Sequence, residues 1–248
     1  MPKDELSEDE LELYNRQIII PDFGEEGQRK IKNTRVTLLG LGGLGSPIAI
    51  YLTAAGVGRL TIIDNEEIEL SNLNRQVLHW SKDLSRLKVD SGLEKLKSLN
   101  PKVDIDCKVE ELNSSNVEEL LSDSDILVDG LDNFPTRYLV NETCVKNEIP
   151  FVHGAVEGLT GQLTTIIPGK GPCLKCIFPN SPPEKSNLPI LGATPGVIGS
   201  LEAMEVIKII TGIGEPMTGR LLSFNGQTLR FNEVEVKKRE NCPVCKDT

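Results

Sequence analysis

A short apolar strand runs directly into a glycine-rich turn at residues 36–45, and this segment constrains the fold more than any other. Gly40, Gly42 and Gly45 fit the pattern G-x-G-x-x-G. Glycines at this spacing allow a tight turn, close approach of a pyrophosphate, and close packing of the next helix on the strand. The turn would also direct backbone N–H groups and a helix N-terminus towards an anion. The segment therefore predicts a nucleotide site.

The next strand supports this interpretation. Residues 60–63 are apolar or β-branched and end at Asp64, which lies 19 residues beyond Gly45. In dinucleotide-binding folds an acid at this place hydrogen-bonds a ribose hydroxyl. Glycines alone also occur in ordinary loops, so the acid at the end of the second strand separates a nucleotide site from a simple turn.

Strand and helix patterns alternate along the chain and then give way to a hairpin. Helical periodicity predicts helices at 46–55, 83–99 and 135–147 and from residue 197 onwards. Strand patterns occur at 36–39, 60–63, 103–109, 126–128, 150–153, 162–167, 220–224 and 228–236. The fold class expected is α/β, with a Rossmann-like, mainly parallel sheet and an antiparallel C-terminal extension.

Length and composition favour one domain over residues 1–248, because no linker, repeat or low-complexity tract interrupts them. We divide it into an N-terminal helical segment (1–34), a nucleotide-binding core (35–170) and a C-terminal part (171–248) with a crossover loop at about 181–195. The net charge of −10 disfavours nucleic acid and anionic membranes as partners. With no secretion signal and no apolar stretch of spanning length, a cytoplasmic location is expected.

Two C-x-x-C pairs predict a structural zinc site. They are Cys173 with Cys176 and Cys242 with Cys245. Each pair can offer two thiolates from one tight turn, and four thiolates close a tetrahedral zinc site. A redox role fits one such pair at a helix start better than two pairs in loops. With 65 residues between the pairs, the ion would fasten the C-terminal part to the body. Cys107 and Cys144 lie in a strand and a helix and are expected to pack in the core.

The charged residues near the predicted phosphate suit a triphosphate. The cations expected there are Arg75, Lys88 and Arg16, and Asp132 and Asp129 could hold magnesium. This set favours ATP with Mg²⁺. An NAD-dependent oxidoreductase remains an alternative, but it would need a substrate base. His79 and His153 are the two histidines of the chain, and each is interpreted as a packed or surface residue.

A carboxylate co-substrate would remove the need for a base. A carboxylate is already ionised at neutral pH, so its attack on the α-phosphate requires no proton transfer. The obstacle is repulsion between two anions, which positioned Arg, Lys and Mg²⁺ would relieve while stabilising the departing pyrophosphate. The chemistry of these residues therefore points to adenylation of a carboxylate.

Motifs along nearly the whole chain resemble the MoeB/ThiF/HesA family of ubiquitin-activating-type adenylyltransferases. They are Tyr14-Asn15-Arg16-Gln17-Ile18, Gly40 to Ser46, Ala54-Ala55-Gly56-Val57-Gly58, Ser71-Asn72-Leu73-Asn74-Arg75-Gln76, Leu99-Asn100-Pro101, Asp132-Asn133-Phe134, Gly196-Val197-Ile198-Gly199-Ser200 and both cysteine pairs. The resemblance implies an enzyme that adenylates the C-terminal glycine of a ubiquitin-like sulfur carrier similar to MoaD or ThiS and releases pyrophosphate.

The resemblance also implies roles for single residues. Gly43 and its neighbours would hold the phosphates, Asp64 the ribose, and Asp132 the magnesium. Arg16 would enter the active site of the other subunit, which implies a homodimer. The catalytic residues expected are Arg75, Asp132, Lys88, Arg16 and Asn72. The cofactor-binding residues expected are Gly40, Gly42, Gly43, Gly45, Asp64, Asn72, Arg75, Gln76, Lys88, Asp132 and Asn133.

One departure from the family keeps alternatives open. Many relatives carry a cysteine in the crossover loop, whereas residues 181–192 of this chain contain none. Covalent capture of the carrier by that route is therefore not expected, although adenylation needs no thiol. A short peptide instead of a folded carrier remains an alternative substrate, as does a scaffold that only docks a carrier.

Overall fold

A computed structural model describes residues 5–181 and 188–247. Its helices are α1 (Glu8–Leu13), α2 (Asn15–Ile18), α3 (Gly24–Lys32), α4 (Gly45–Ala55), α5 (Lys88–Leu99), α6 (Val117–Leu121), α7 (Phe134–Lys146), α8 (Leu174–Ile177) and α9 (Ala193–Thr211). Its strands are β1 (Arg35–Leu39), β2 (Arg59–Ile63), β3 (Asp104–Lys108), β4 (Ile126–Asp129), β5 (Phe151–Glu157), β6 (Thr160–Ile166), β7 (Arg220–Asn225) and β8 (Arg230–Glu235).

The strands form one mixed sheet in the order β3-β2-β1-β4-β5-β6-β7-β8. The pairs from β3 to β5 are parallel, and those from β5 to β8 are antiparallel. The chain runs from β1 outwards to β2 and β3, and then returns to the other side of β1 as β4. Ligands of open α/β sheets bind at such a reversal, outside the carboxyl ends of the strands. The predicted fold class is confirmed.

Both faces of the sheet are covered by helices. Side chains of α3, α4, α5 and α9 pack on one face around buried residues such as Leu38 and Ile62. On the other face α6, α7, α8 and the four paired cysteines pack around Leu127 and Phe151. Burial on both faces explains why β4 is a continuous apolar run, as parallel central strands usually are. Cys144 lies in this second core and half-buried Cys107 packs against the first, as predicted.

The helix predicted at 83–99 begins later than the sequence suggested. A 3₁₀ turn occupies Ser81–Asp83, Ser85 has a left-handed φ of 62°, and α5 begins only at Lys88. The fully buried Asp83 carboxylate explains the difference. It accepts the backbone N–H of Trp80 at 2.9 Å and pairs with Lys95 and Arg86. Those bonds close a loop where the apolar spacing alone favoured a helix.

Two other elements differ from the sequence-based expectation. Helix α6 was not predicted; it is a single short helix over Val117–Leu121. The first cysteine pair is not in a plain loop, because Cys173 is the N-cap of α8.

The predicted crossover loop at about 181–195 lies partly outside the described residues, and α9 already begins at Ala193. No helix among the described residues is both long and apolar enough to span a bilayer.

Candidate nucleotide pocket and cysteine cluster

A large pocket opens at the carboxyl ends of β1, β2 and β4. Its volume is about 1940 Å³, whereas sites for one small molecule usually enclose roughly 300–1,000 Å³. The pocket therefore has room for a nucleotide and for part of a second reactant. Its wall includes these predicted site residues: Gly40, Gly42, Gly43, Asp64, Asn72, Arg75, Gln76, Lys88, Asp132 and Asn133.

Some glycines of the turn allow close packing, and others leave room for a ligand. Gly40 has a φ of 89°, and a Cβ there would lie 2.6 Å from the carbonyl oxygen of Gly130. A Cβ on Gly45 would lie 2.0 Å from the carbonyl oxygen of Gly40. Gly45 therefore lets helix α4 pack on the strand and does not line the pocket, whereas Gly42 and Gly43 do. The second and third glycines of the turn, Gly42 and Gly43, are therefore those that a phosphate could approach.

Asp64 directly follows β2 and lies on the pocket wall. Its two carboxylate oxygens accept the backbone N–H groups of Leu41, at 2.7 Å, and Glu66, at 2.9 Å. Burial raises the pKa of this carboxyl, although the charge of Lys88 and both hydrogen bonds act in the opposite direction. The hydrogen bonds fix the carboxylate at the edge of the glycine turn, which is the place expected of a ribose-binding acid.

Arg75 and its neighbours form a second wall. The Arg75 guanidinium donates to the carbonyl of Ser71 at 2.8 Å and to Asn74 Oδ1 at 3.2 Å. The N-terminal approach to α9 packs tightly on this segment, since a Cβ on Gly192 would lie 2.1 Å from the Asn74 carbonyl oxygen. The arginine is thus held at the pocket rather than extended into solvent.

Asn72 and Gln76 lie on the same wall and are both buried. Asn72 Oδ1 accepts the backbone N–H of Glu69 at 3.0 Å, which fixes the amide. The Oε1 atom of Gln76 has no hydrogen-bond partner among the described residues. A buried acceptor without a partner is costly, and it therefore fits a pocket whose ligand supplies the missing donor.

Lys88 and Glu66 form an ion pair on the pocket wall, where the backbone N–H of Lys88 also donates to the Glu66 carbonyl at 2.9 Å. Lys88 begins α5 and is 2% exposed, whereas the side chain of Glu66 is 64% exposed. A buried ammonium without a counter-charge is unfavourable. The exposed glutamate neutralises the lysine, and a phosphate could do the same.

Asp132 and Asn133 follow β4 on an exposed part of the wall. Asp132 Oδ1 accepts from Asn133 Nδ2 at 3.3 Å, and Asn133 Oδ1 caps α7 by accepting the N–H of Thr136 at 2.9 Å. An exposed carboxylate beside a phosphate site is a suitable oxygen ligand for magnesium. Asn133 already uses its amide oxygen as a helix cap.

Asp129 is not available for magnesium, and that expectation was wrong. It is fully buried and accepts from Arg137 Nε at 2.8 Å, from His153 Nδ1 at 2.5 Å and from the N–H of Leu131 at 2.8 Å. Burial alone would raise its pKa, but the charge of Arg137 and the bond from His153 lower it. A strand-end acid was correctly placed near the site, but its carboxylate points into the core.

Both histidines are packed residues, as predicted. His79 is buried, and its ring nitrogens lie 3.0 Å from Ser91 Oγ and 3.1 Å from the carbonyl oxygen of Leu41. Burial lowers its pKa from 6.5 to about 4. His153 is fully buried beside Asp129, and burial lowers its pKa as well. Neither imidazole lines the pocket.

Arg16 is separate from the pocket of its own chain. It lies on α2 and is exposed, and it is absent from the pocket wall. Its neighbours fasten the segment: Tyr14 Oη accepts from Asn100 Nδ2 at 2.8 Å, and Gln17 Nε2 donates to the Ala55 carbonyl at 2.9 Å. A role for Arg16 in another subunit stays a prediction, and this placement is compatible with it.

The four paired cysteines converge in the second core. Their Sγ atoms all lie within 4.8 Å of one another, with 3.6 Å between Cys173 and Cys242 and 3.5 Å between Cys176 and Cys245. Sulfurs bound at about 2.3 Å to a tetrahedral zinc ion are separated by about 3.8 Å. The backbone N–H of Arg239 also donates to Cys176 Sγ at 3.4 Å. The cluster could therefore hold a metal ion with four protein ligands.

Several residues of the pocket wall were not predicted from the sequence, among them three with charged or aromatic side chains close to the predicted ones. Glu66 and Arg137 belong to the wall, and Phe178 reaches it from the segment that follows α8. Arg137 carried a detectable signal, since it is a charged residue on a helix whose other buried positions hold uncharged residues such as Val140 and Asn141. No pattern in the sequence links Glu66 with Lys88 or Phe178 with the pocket, because those contacts form only in the folded chain.

The sheet has a glycine turn at its reversal, a pocket whose wall carries Arg75 and Lys88, and a Cys₄ cluster. Together these features define a nucleotide-binding α/β protein. The model of the ThiF family matches residues 14–244. The chain belongs to the ThiF family.

Two curated relatives and one solved structure extend the comparison. The chain is 43% identical to "Adenylyltransferase and sulfurtransferase MOCS3" of Drosophila yakuba over 97% of this chain and 54% of that protein. It is 40% identical to "SAMP-activating enzyme E1" of Haloferax volcanii over 95% and 89%. A crystal structure of E. coli MccB with ATP is similar with a TM-score of 0.78 and 25% identity over 89% and 68%. The chain spans about half the length of its MOCS3 relatives.

Proposed function

We propose that this chain is an ATP-dependent adenylyltransferase that activates the C-terminal glycine carboxylate of a ubiquitin-like sulfur-carrier protein. Arg75, Lys88 and Asp132 on the wall of one pocket beside the glycine turn carry this proposal. It is supported by relatives that are named "Adenylyltransferase and sulfurtransferase MOCS3" and "SAMP-activating enzyme E1". Residues 1–248 would act as one adenylation unit with the three parts defined above.

The pocket supports a division of roles in nucleotide binding. The glycine turn would contact the phosphates, Asp64 the ribose, and Asn72, Arg75 and Lys88 the triphosphate. Gln76 would contact the nucleotide as well, with its Oε1 accepting from a donor group of the ligand. Asp132 would hold Mg²⁺, which neutralises phosphate charge and favours departure of pyrophosphate. The solved MccB structure with ATP supports a nucleotide in this fold.

The carrier carboxylate needs no general base, because it is ionised at neutral pH. The chain must instead hold two anions together, and Arg75 and Lys88 would offset their repulsion. A terminal diglycine suits this site, because a tail without side chains can enter a narrow passage. The acyl-adenylate would then leave the site for a separate sulfur donor, since residues 181–192 contain no cysteine.

The Cys₄ cluster would hold a structural zinc ion, because all four positions of a tetrahedral ion are taken by protein thiolates. We also propose a homodimer, in which exposed Arg16 of one subunit completes the site of the other. The zinc ion at the Cys₄ cluster would contact neither the carrier nor the phosphates.

Incubation of the purified protein with ATP and each candidate carrier tests the proposal. We expect release of pyrophosphate and a carrier adenylate detectable by its mass. A carrier lacking its last glycine is the matched control and should give neither product. Absence of an adenylate with every ubiquitin-like carrier, combined with adenylation of a short peptide, would replace the carrier by a peptide substrate. Binding of NAD but not of ATP would overturn the proposal, and carrier binding without pyrophosphate release would leave only a scaffold.

A further inference from the structure

The loop between β4 and α7 is held at both backbone groups of one residue. The N–H of Leu131 donates to Asp129 Oδ1 at 2.8 Å, and the carbonyl of Leu131 accepts from a terminal nitrogen of Arg137. Asp132 is the next residue in the chain. Fixing both the donor and the acceptor of Leu131 leaves little freedom for the peptide that carries Asp132.

The Asp129 carboxylate is the centre of this arrangement. It accepts from Arg137 Nε at 2.8 Å and from His153 Nδ1 at 2.5 Å, and all three side chains are at most 4% exposed. A buried carboxylate is stable only when its hydrogen bonds are complete, so loss of one donor weakens the whole group. Arg137 also donates to the carbonyl of Gly154 on β5 at 3.1 Å, which ties α7 to the sheet.

The loop also touches the glycine turn directly. The N–H of Gly130 donates to the carbonyl of Leu39 at 2.7 Å, and a Cβ on Gly130 would lie 2.4 Å from the carbonyl oxygen of Gly40. Asp132 is therefore positioned relative to the very turn that would contact the phosphates. A shift of the loop would change the distance between a metal at Asp132 and a phosphate at Gly42 or Gly43.

The His153 ring lies among aromatic side chains and has one identified polar contact. Phe134, Phe151 and Phe178 surround the His153 ring, with centroids 6.0–6.4 Å away. Glu202 of α9 lies against Gly154 on the opposite face of the sheet, fully buried. The His153 ring is thus enclosed by apolar rings on its own face, and its identified polar contact is the bond to Asp129.

We propose that Arg137 and His153 are positioning residues that, through Asp129, hold residues 130–133 so that Asp132 presents its carboxylate to metal-bound triphosphate. This inference rests on the proposed function in one respect, since it takes Asp132 as the magnesium ligand. Neither side chain acts on the reacting atoms. Their effect is on how much magnesium strengthens nucleotide binding, and on the rate when the chain is saturated with ATP.

Two substitutions at His153 separate positioning from packing. His153→Asn keeps an N–H donor close to the place of Nδ1, whereas His153→Phe fills the aromatic enclosure but donates nothing. The readout is the ATP dissociation constant with and without Mg²⁺, measured by calorimetry without any carrier. Where a carrier is adenylated, kcat and KM for ATP are measured as well.

We expect magnesium to strengthen ATP binding to the unchanged chain, and Asp132→Ala to abolish that gain. His153→Phe should behave like Asp132→Ala and lower kcat by about tenfold or more with a small effect on metal-free ATP binding. His153→Asn should retain most of the gain. Arg137→Lys, which keeps the charge but loses the fork, provides a second test if His153→Phe does not fold. Cys144→Ala, a buried change on α7 away from the loop, should lower the melting temperature but keep the gain.

The outcomes distinguish this inference from the proposed function. A full magnesium gain in both His153→Phe and Arg137→Lys would overturn it, even in a chain that adenylates carriers. Lack of any magnesium gain in the unchanged chain would overturn it too, because Asp132 would then hold no metal. A chain that adenylates no carrier but loses the gain in His153→Phe would refute the proposed function and support the positioning roles.

Discussion

The buried ammonium of Lys88 pairs with the carboxylate of Glu66, a residue whose side chain is mostly in solvent. Both residues line the pocket, and they are neighbours on its wall, since the backbone N–H of Lys88 donates to the Glu66 carbonyl at 2.9 Å. A phosphate that pairs with Lys88 would take the place of this glutamate. The exposed carboxylate can rotate into water at little cost, whereas the lysine stays buried and needs a new anion.

Glu66→Gln should therefore bind ATP more tightly. The change removes a competing anion, and we expect the dissociation constant to fall by about three- to tenfold, as for a partly exposed ion pair. Isothermal titration at two salt concentrations measures it. Glu67→Gln, on the same wall, is the control and should change affinity less. Weaker binding by Glu66→Gln would mean that the glutamate orients Lys88 for the nucleotide.

Arg75→Ala and Asp132→Ala should each lower carrier-dependent ATP–pyrophosphate exchange by about 100-fold or more, because each removes charge that stabilises the departing pyrophosphate. Both residues are at least partly exposed and outside the cores, so the melting temperature should hardly change. Exchange at the unchanged rate in either variant would remove that residue from the proposed site.

Mixing two inactive variants tests the proposed role of Arg16 in the partner subunit. Arg16→Ala and Asp132→Ala fail separately, but a mixed dimer has one complete site if Arg16 acts across the interface. Random exchange of subunits should restore about one quarter of the activity. Unfolding and refolding the mixture before the exchange assay measures this. No recovery, with dimers demonstrated, would place Arg16 in its own subunit's site.

Cys242→Ser should release zinc and lower stability, because metal binding to four thiolates contributes folding free energy. The zinc content and the melting temperature are measured on the same samples under reducing conditions. Cys107→Ser changes a thiol outside the cluster and should keep one zinc ion per chain. A Cys242→Ser protein with unchanged melting would show that the cluster does not fasten the C-terminal part.

Stability should decrease as the pH falls from about 6.5 towards 4, in part because of His79. Burial lowers the pKa of His79 from 6.5 to about 4 in the folded chain, so the unfolded chain binds a proton first. Between these values the loss can reach about 1.4 kcal/mol per pH unit. Urea unfolding of His79→Gln and of the unchanged chain, each measured at several pH values, isolates this contribution. The free energy of unfolding should fall less steeply with decreasing pH in the variant. An equal pH dependence of the free energy of unfolding in the two proteins would contradict the lowered pKa of His79.

The sequence predicted those parts of the site that depend on local pattern. The glycine turn at Gly40, the acid at Asp64 and the two cysteine pairs each have a fixed spacing that follows from covalent geometry. Their placement on one sheet edge, or in one cluster, was therefore correct. The parallel arrangement of the first strands also followed from alternating apolar runs and helices, although their order did not.

Contacts between distant segments could not be predicted in this way. Asp129 and Asp132 are three residues apart, and the sequence does not distinguish their roles. The Asp129 carboxylate is buried with Arg137 and His153, whereas Asp132 is exposed. Helix α5 begins late for the same kind of reason, since buried Asp83 pairs with Lys95 of that helix. In each case a charge that looked free is committed to a partner that only the fold brings near.

The close approach of the cysteine sulfurs has a consequence for handling the protein. Sγ atoms 3.5–3.6 Å apart need to move only about 1.5 Å to form a disulfide. A chelated sample exposed to dioxygen would then join Cys173 to Cys242 and Cys176 to Cys245. These covalent links would connect the same two segments as the ion does, so oxidation could conceal the loss of metal in a melting experiment.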